Sequence, residues 1–136
     1  MKLLLDTHIL LWTLTNDPNL PPLARRLIGD NTNRIFFSSL SAWEVELKHE
    51  KHPQQMTIGG KDLADYAVKT GFYPVGPGLN EISLLPLLKR KEKTPEHHDP
   101  FDRMLICQAA ANGMFFLTKD IRISEYTDPC IIFCPC

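Results

Sequence analysis

The chain is poor in glycine, with seven among 136 residues, and they form no phosphate-cradling loop. The one adjacent pair, Gly59 and Gly60, lacks the lysine and hydroxyl residue that complete such a loop, which excludes the P-loop enzymes. An excess of either charge is also missing. Fifteen basic and sixteen acidic residues leave a net charge of −1, without the overall basic surplus typical of nucleic-acid binders. Local basic clusters at Arg25–Arg26, Lys48–His52 and Lys89–Lys93 permit an anionic partner without establishing one. No apolar run approaches membrane-spanning length: in "MKLLLDTHILLW", Asp6 and His8 interrupt it early, and no small-residue cleavage site follows. The expectation is a cytoplasmic protein that does not enter the membrane. Cysteine is scarce too. Cys130, Cys134 and Cys136 are spaced C-x3-C-x-C rather than in the C-x2-C pairs of common zinc sites, so reduced, small apolar side chains are expected. There are no internal repeats, and the length suits a single domain over residues 1–136.

What is present is an alternation. "KLLLD" (2–6), "RIFFSS" (34–39), "FFLT" (115–118) and "CIIFC" (130–134) are short apolar, β-rich runs suited to strands buried on both faces. "FYPV" (72–75) is a weaker fifth strand, which Pro74 would place at an edge. Helical patterns lie between them: "THILLWTL", "PPLARRLIGD", "SAWEVELKHEKH", "GKDLADYAVKTG", "LNEISLLPLLKRK" and "PFDRMLICQAAANG". Such alternation implies an α/β fold, a parallel sheet flanked by helices on both faces. Ligands then bind beyond the carboxyl ends of the strands.

Acidic residues gather at those ends. Asp6 closes the first strand, Glu44 lies one turn into the helix after the second, Asp99 and Asp102 open the long helix, and Asp120 follows "FFLT". Each has an ordinary explanation. Asp99 before Pro100 is a standard helix start with Asp102 at N3, Ser41 and Glu44 have capping-box spacing, and Asp6 and Asp120 can cap the helices they precede. Capping gives no reason for the acids to converge. Converging carboxylates repel unless a cation sits among them, and oxygen-only ligands suit Mg²⁺ or Mn²⁺, which meet phosphate oxygens. A phosphatase of the haloacid-dehalogenase type would need D-x-D after the first strand, where the chain has Asp6, Thr7 and His8. Phe36, Phe37, Trp43 and Phe101 lie in apolar runs and are expected mostly in the core.

"LLLDTHILLW", "SSLSAWEVELK", "HHDPFDRMLICQA" and "FFLTKD", in that order along nearly the whole chain, resemble the PIN-domain ribonucleases, in particular the VapC-type toxins of toxin–antitoxin pairs. The resemblance implies a sheet of four to five parallel strands in order 3-2-1-4-5. It implies an endoribonuclease that uses Mg²⁺ or Mn²⁺, with Asp6, Glu44, Asp102 and Asp120 as catalytic residues and metal ligands. Thr7 and Thr118 match supporting hydroxyls. Asp99, His98 and Arg103 fall in the subgroup's H-x-D-P-F-D-R signature, where Asp99 supports the site. Arg103 and Lys119 are expected phosphate contacts, while His8, His49, His52 and His97 receive no role. The partners so implied are RNA, a cognate antitoxin and a second copy of the chain, with "THILLWTL" and "LNEISLLPLL" as candidate surfaces. The alternative is a catalytically weak PIN-like module that acts by binding its antitoxin or itself.

Overall fold

The structure, a computed structural model, describes residues 1–135. Five strands form one parallel sheet: β1 (Lys2–Leu5), β2 (Arg34–Ser38), β3 (Tyr73–Val75), β4 (Phe115–Thr118) and β5 (Ile131–Phe133), in spatial order β3-β2-β1-β4-β5. The order is the expected 3-2-1-4-5. In register, Leu4 of β1 stands between Phe36 of β2 and Phe116 of β4. Side chains alternate across a strand, so Leu3 and Leu5 enter one core with Ile9, Leu10, Phe37, Leu63 and Leu117. Leu4 enters the other with Leu105, Ile106, Phe116 and Ile123. Leu3, Leu4 and Leu5 are fully buried, as a central parallel strand covered on both faces requires. Pro74, which has no N–H to give the ladder, sits in the edge strand β3.

Seven helices link the strands: α1 (Thr7–Leu14), α2 (Pro22–Gly29), α3 (Ser39–Lys51), α4 (Gly60–Thr70), α5 (Leu79–Leu84), α6 (Pro100–Ala111) and α7 (Ile121–Ser124). Pro86 turns the end of α5 into a 3₁₀ turn over Leu85–Leu87. Gly71 ends α4 at φ 102°, the left-handed conformation that glycine adopts without strain. Gly60 has a packing reason: a Cβ there would lie 2.1 Å from the Ala42 carbonyl oxygen, where α4 starts hard against α3.

Two expectations need correction. Ser41 is not a cap; the cap of α3 is Ser38, whose Oγ accepts from Leu40 N at 3.0 Å. The strand ends at Ser38, so the helix begins earlier than S-x-x-E spacing suggested. Trp43 is 56% exposed rather than in the core, set edge-on against Phe101 at 5.3 Å. Cys107, Cys130 and Cys134 are free and buried, and burial pushes all three thiols up, Cys134 to about 11. Cys136 lies outside the described residues. No described helix is long and apolar enough to cross a membrane.

Candidate active site

The carboxyl ends of β1 and β4 are neighbours, and β1 is where the strand order reverses direction along the chain, the usual place for a site in an open parallel sheet. Asp6 follows β1 and caps α1, its Oδ1 accepting from Thr7 N at 2.7 Å. Its Oδ2 accepts from Thr118 Oγ1 at 2.7 Å. That same threonine oxygen accepts from Asp120 N at 3.0 Å. Thr118, at the end of β4, thereby ties two of the expected acids together. Thr7 Oγ1 donates to buried Ser41 Oγ at 2.9 Å, fastening the start of α1 to the turn of α3 that carries Glu44. Both hydroxyls that the resemblance singled out thus touch Asp6 or brace the helix beside it.

Asp6 is 5% exposed. Burial raises its pKa to about 6, against the bonds from Thr118 and Thr7, and Glu44 adds a smaller push upward.

Asp102 approaches from the other side. Asp99 caps α6, its Oδ1 accepting from Phe101 N at 2.9 Å and from Asp102 N at 3.1 Å, with Pro100 at N1. Asp102 itself stands at N3 and is buried. Its side chain does not close the capping box; Oδ2 meets His97 Nε2 at 3.1 Å. Burial raises the Asp102 pKa to about 8, and Asp6, Asp99, Glu44 and Asp120 each push it further in that direction. Burial also lowers His97, helped by the positive charges of Arg122 and Arg90. Both partners of this pair therefore favour their neutral forms when no cation is near.

Asp120 caps α7 and is gripped by Arg122, from backbone N at 2.9 Å, Nε at 3.2 Å and Nη2 at 2.9 Å. Burial pushes Asp120 up, but these bonds outweigh it and hold the carboxyl below its ordinary value. Glu44 and Asp120 are half-buried. The four acids expected from the resemblance thus share one electrostatic neighbourhood, with Asp99 beside them.

His98 and Arg103 have partners away from the acids of the sheet edge. His98 is exposed and faces Glu96, whereas His97, given no role, is the histidine that touches Asp102. Arg103 Nη2 donates to the Leu85 carbonyl at 3.1 Å, which anchors it to backbone. Lys119 keeps a freer position, its Nζ 4.8 Å from the centre of the Trp12 ring. Arg122 was missed altogether, although its D-x-R spacing from Asp120 is visible.

The donor set tests its fit to a cation in two ways. All four acids offer oxygen, and repulsion among buried carboxylates is what a divalent cation relieves. Among the described residues, no three histidine, cysteine, aspartate or glutamate side chains close around one point. Mg²⁺ keeps several waters and takes one or two carboxylates together with substrate phosphate, so its site need not offer three side chains. The oxygen donors and their mutual repulsion fit a hard cation, which Asp6, Glu44, Asp102 and Asp120 would hold.

Comparison with known proteins agrees with the fold. The chain resembles a solved structure of VapBC2 from Rickettsia felis bound to a DNA fragment from their promoter. The match has 15% identity and a TM-score of 0.66, over 98% of this chain and 97% of that one. No curated protein sequence matches. The profile of the PIN domain matches residues 3–129, almost the full length, and the chain belongs to the PIN domain family.

Proposed function

We propose that this protein is a metal-dependent endoribonuclease, the toxin of a VapC-type toxin–antitoxin pair, acting in the cytoplasm. The observation that carries the reading is the convergence of buried Asp6 and Asp102 at the carboxyl edge of the sheet, each with its pKa raised. Groups whose environment disfavours the charge they must carry mark functional sites rather than stabilising ones.

When bound, Mg²⁺ or Mn²⁺ supplies water activation and charge neutralisation at the scissile phosphate. The side chains to hold it are Asp6, Glu44, Asp102 and Asp120. Thr118 and the Thr7 amide fix both oxygens of Asp6, so that carboxylate needs little reorganisation on binding. Asp99 fixes the first turn of α6 and with it the backbone of Asp102. Arg122 offsets the charge of Asp120, and Lys119 stands one residue away on the same strand end to meet the RNA backbone. These cations let a polyanion approach an acidic site on a chain of net charge −1.

Two apolar faces support a partner protein and a second copy of the chain. A groove of about 300 Å³ between α1 and α4 is lined by Leu11, Leu14, Ile58, Leu63 and Tyr66. Another, of about 280 Å³, lies beside the acids among Leu40, Trp43, Ile82, Phe101 and Met104. The same faces support the second reading, a binding module with weak catalysis.

Purified protein should cleave RNA with Mg²⁺ or Mn²⁺, stop on chelation, and be inactive as Asp6→Asn and Asp102→Asn. Metal-independent cleavage, or full activity in both variants, overturns the ribonuclease reading. Inert wild type that still binds its antitoxin favours the module.

A further inference from the structure

We propose that His97 is a positioning residue for Asp102: its Nε2 holds one carboxylate oxygen and leaves the other free to bind. The inference deepens the ribonuclease reading and rests on it. His97 lies in the segment before α6, with its ring buried. Nε2 stands 3.1 Å from Asp102 Oδ2. Among the described residues Oδ1 accepts no hydrogen bond, and it is not sealed from solvent. One oxygen is thus spoken for and one is open.

The ring is itself held. Tyr126 Oη lies 3.0 Å from Nδ1 and 3.1 Å from the carbonyl oxygen of His97, and the tyrosine ring stands edge-on to the imidazole. The Arg90 guanidinium covers the tyrosine ring at 4.8 Å from its centre. Arg90 pairs with Glu125 and donates to the Arg122 carbonyl at 3.0 Å, and Arg122 grips Asp120. A continuous run of contacts therefore joins Asp102 to Asp120 behind the site.

The His97 carbonyl oxygen can only accept, so the Tyr126 hydroxyl donates to it and holds the segment that carries the ring. Partners placed as His97 is, one bond behind a ligand, fix its orientation and basicity.

The test measures Mg²⁺ affinity by calorimetry on the full chain, alongside thermal midpoints. His97→Ala should weaken Mg²⁺ binding by roughly 10–100-fold. His97→Gln should restore most of it, because its amide nitrogen reaches as far as Nε2. His97→Asn, shorter, should not. Equal losses in Ala and Gln mean packing alone and overturn the role. Asp102→Asn separates the two readings. If it loses Mg²⁺ while His97→Ala binds like wild type, only the role of His97 falls. If Asp102→Asn binds like wild type, the metal site falls and His97 with it.

Discussion

Asp6 and Asp102 are the two most buried acids of the site, yet they are held by opposite means. Asp6 is fixed by regular structure: a helix-start amide and the last side chain of the neighbouring strand. Asp102 has its backbone fixed by a cap but its carboxylate fixed by a histidine from an irregular segment. Asp6 accepts two hydrogen bonds that favour its charge, and its pKa rises only to about 6. Asp102 faces the charges of four other acids, and its pKa rises to about 8. Sheet geometry therefore supplies a carboxylate whose charge is partly satisfied by neighbours, whereas the helix start supplies one whose charge its surroundings oppose.

The largest effect should come from removing either acid's charge. Asp6→Asn and Asp102→Asn should each lower RNA cleavage by more than ~100-fold, beyond the range that loss of an outer partner costs. The contrast sharpens in stability. In metal-free protein at pH 8, Asp102→Asn should raise stability by about 1–3 kcal/mol, measured by denaturant titration, because it removes a charge that burial opposes. A loss of stability there would show that Asp102 is not strained.

Next comes pH. Both folded pKa values lie above the ordinary 3.8, so the fold favours the protonated acids. The stability they contribute is complete below that ordinary value and is lost as pH rises through about 6 and then about 8. The thermal midpoint of metal-free protein should fall between pH 5 and pH 9, and Mg²⁺ should stabilise more at pH 8.5 than at pH 5.5. A flat profile with no pH-dependent Mg²⁺ effect contradicts the buried cluster.

Thr118→Val removes the bond to Asp6 and also takes the acceptor of the Asp120 amide, while leaving Asp102 and His97 untouched. It should cost about 1.5–3 kcal/mol by chemical denaturation, the usual range for a hydrogen bond to a charged group, and weaken cleavage without abolishing it. Smallest of all is Asp99→Asn. Asparagine caps a helix as well as aspartate does, so activity should stay within a few-fold of wild type in the same RNA assay, whereas Asp102→Asn abolishes it. Equal losses in the two variants would erase the division between cap and ligand.

The difference between the two acids also explains what was legible in advance. Strand runs and the Asp99–Pro100 cap are local patterns with a fixed period or spacing and can be read from residues, whereas the strand order and the choice of four acids came from the family resemblance. The Thr118 partner of Asp6 sits at a strand end and was singled out by the resemblance. The partner of Asp102 was legible only through the motif, since in H-x-D-P-F-D-R the histidine falls at position 97 and position 98 is the unspecified residue. His97 and His98 are adjacent and identical, and only the path of an irregular segment decides that one is buried while the other faces solvent. Ser41 was taken for a cap because its spacing to Glu44 is right, but the strand before it ends three residues earlier than that reading needs. Trp43 was placed in the core by hydrophobicity, which does not distinguish a buried face from one left open beside a groove.

The two outer strands have a consequence for assembly. Each is three residues long, and β3 carries Pro74 while Pro135 follows soon after β5. Short edges interrupted by proline offer little backbone for another chain to zip onto. Association by strand addition is thereby discouraged, and partners are directed to the helical faces. For the partners proposed above, recognition would then depend on side-chain shape at α1, α4 and the Trp43 groove, so partners could diverge by surface substitution while the sheet that carries the acids stays unchanged.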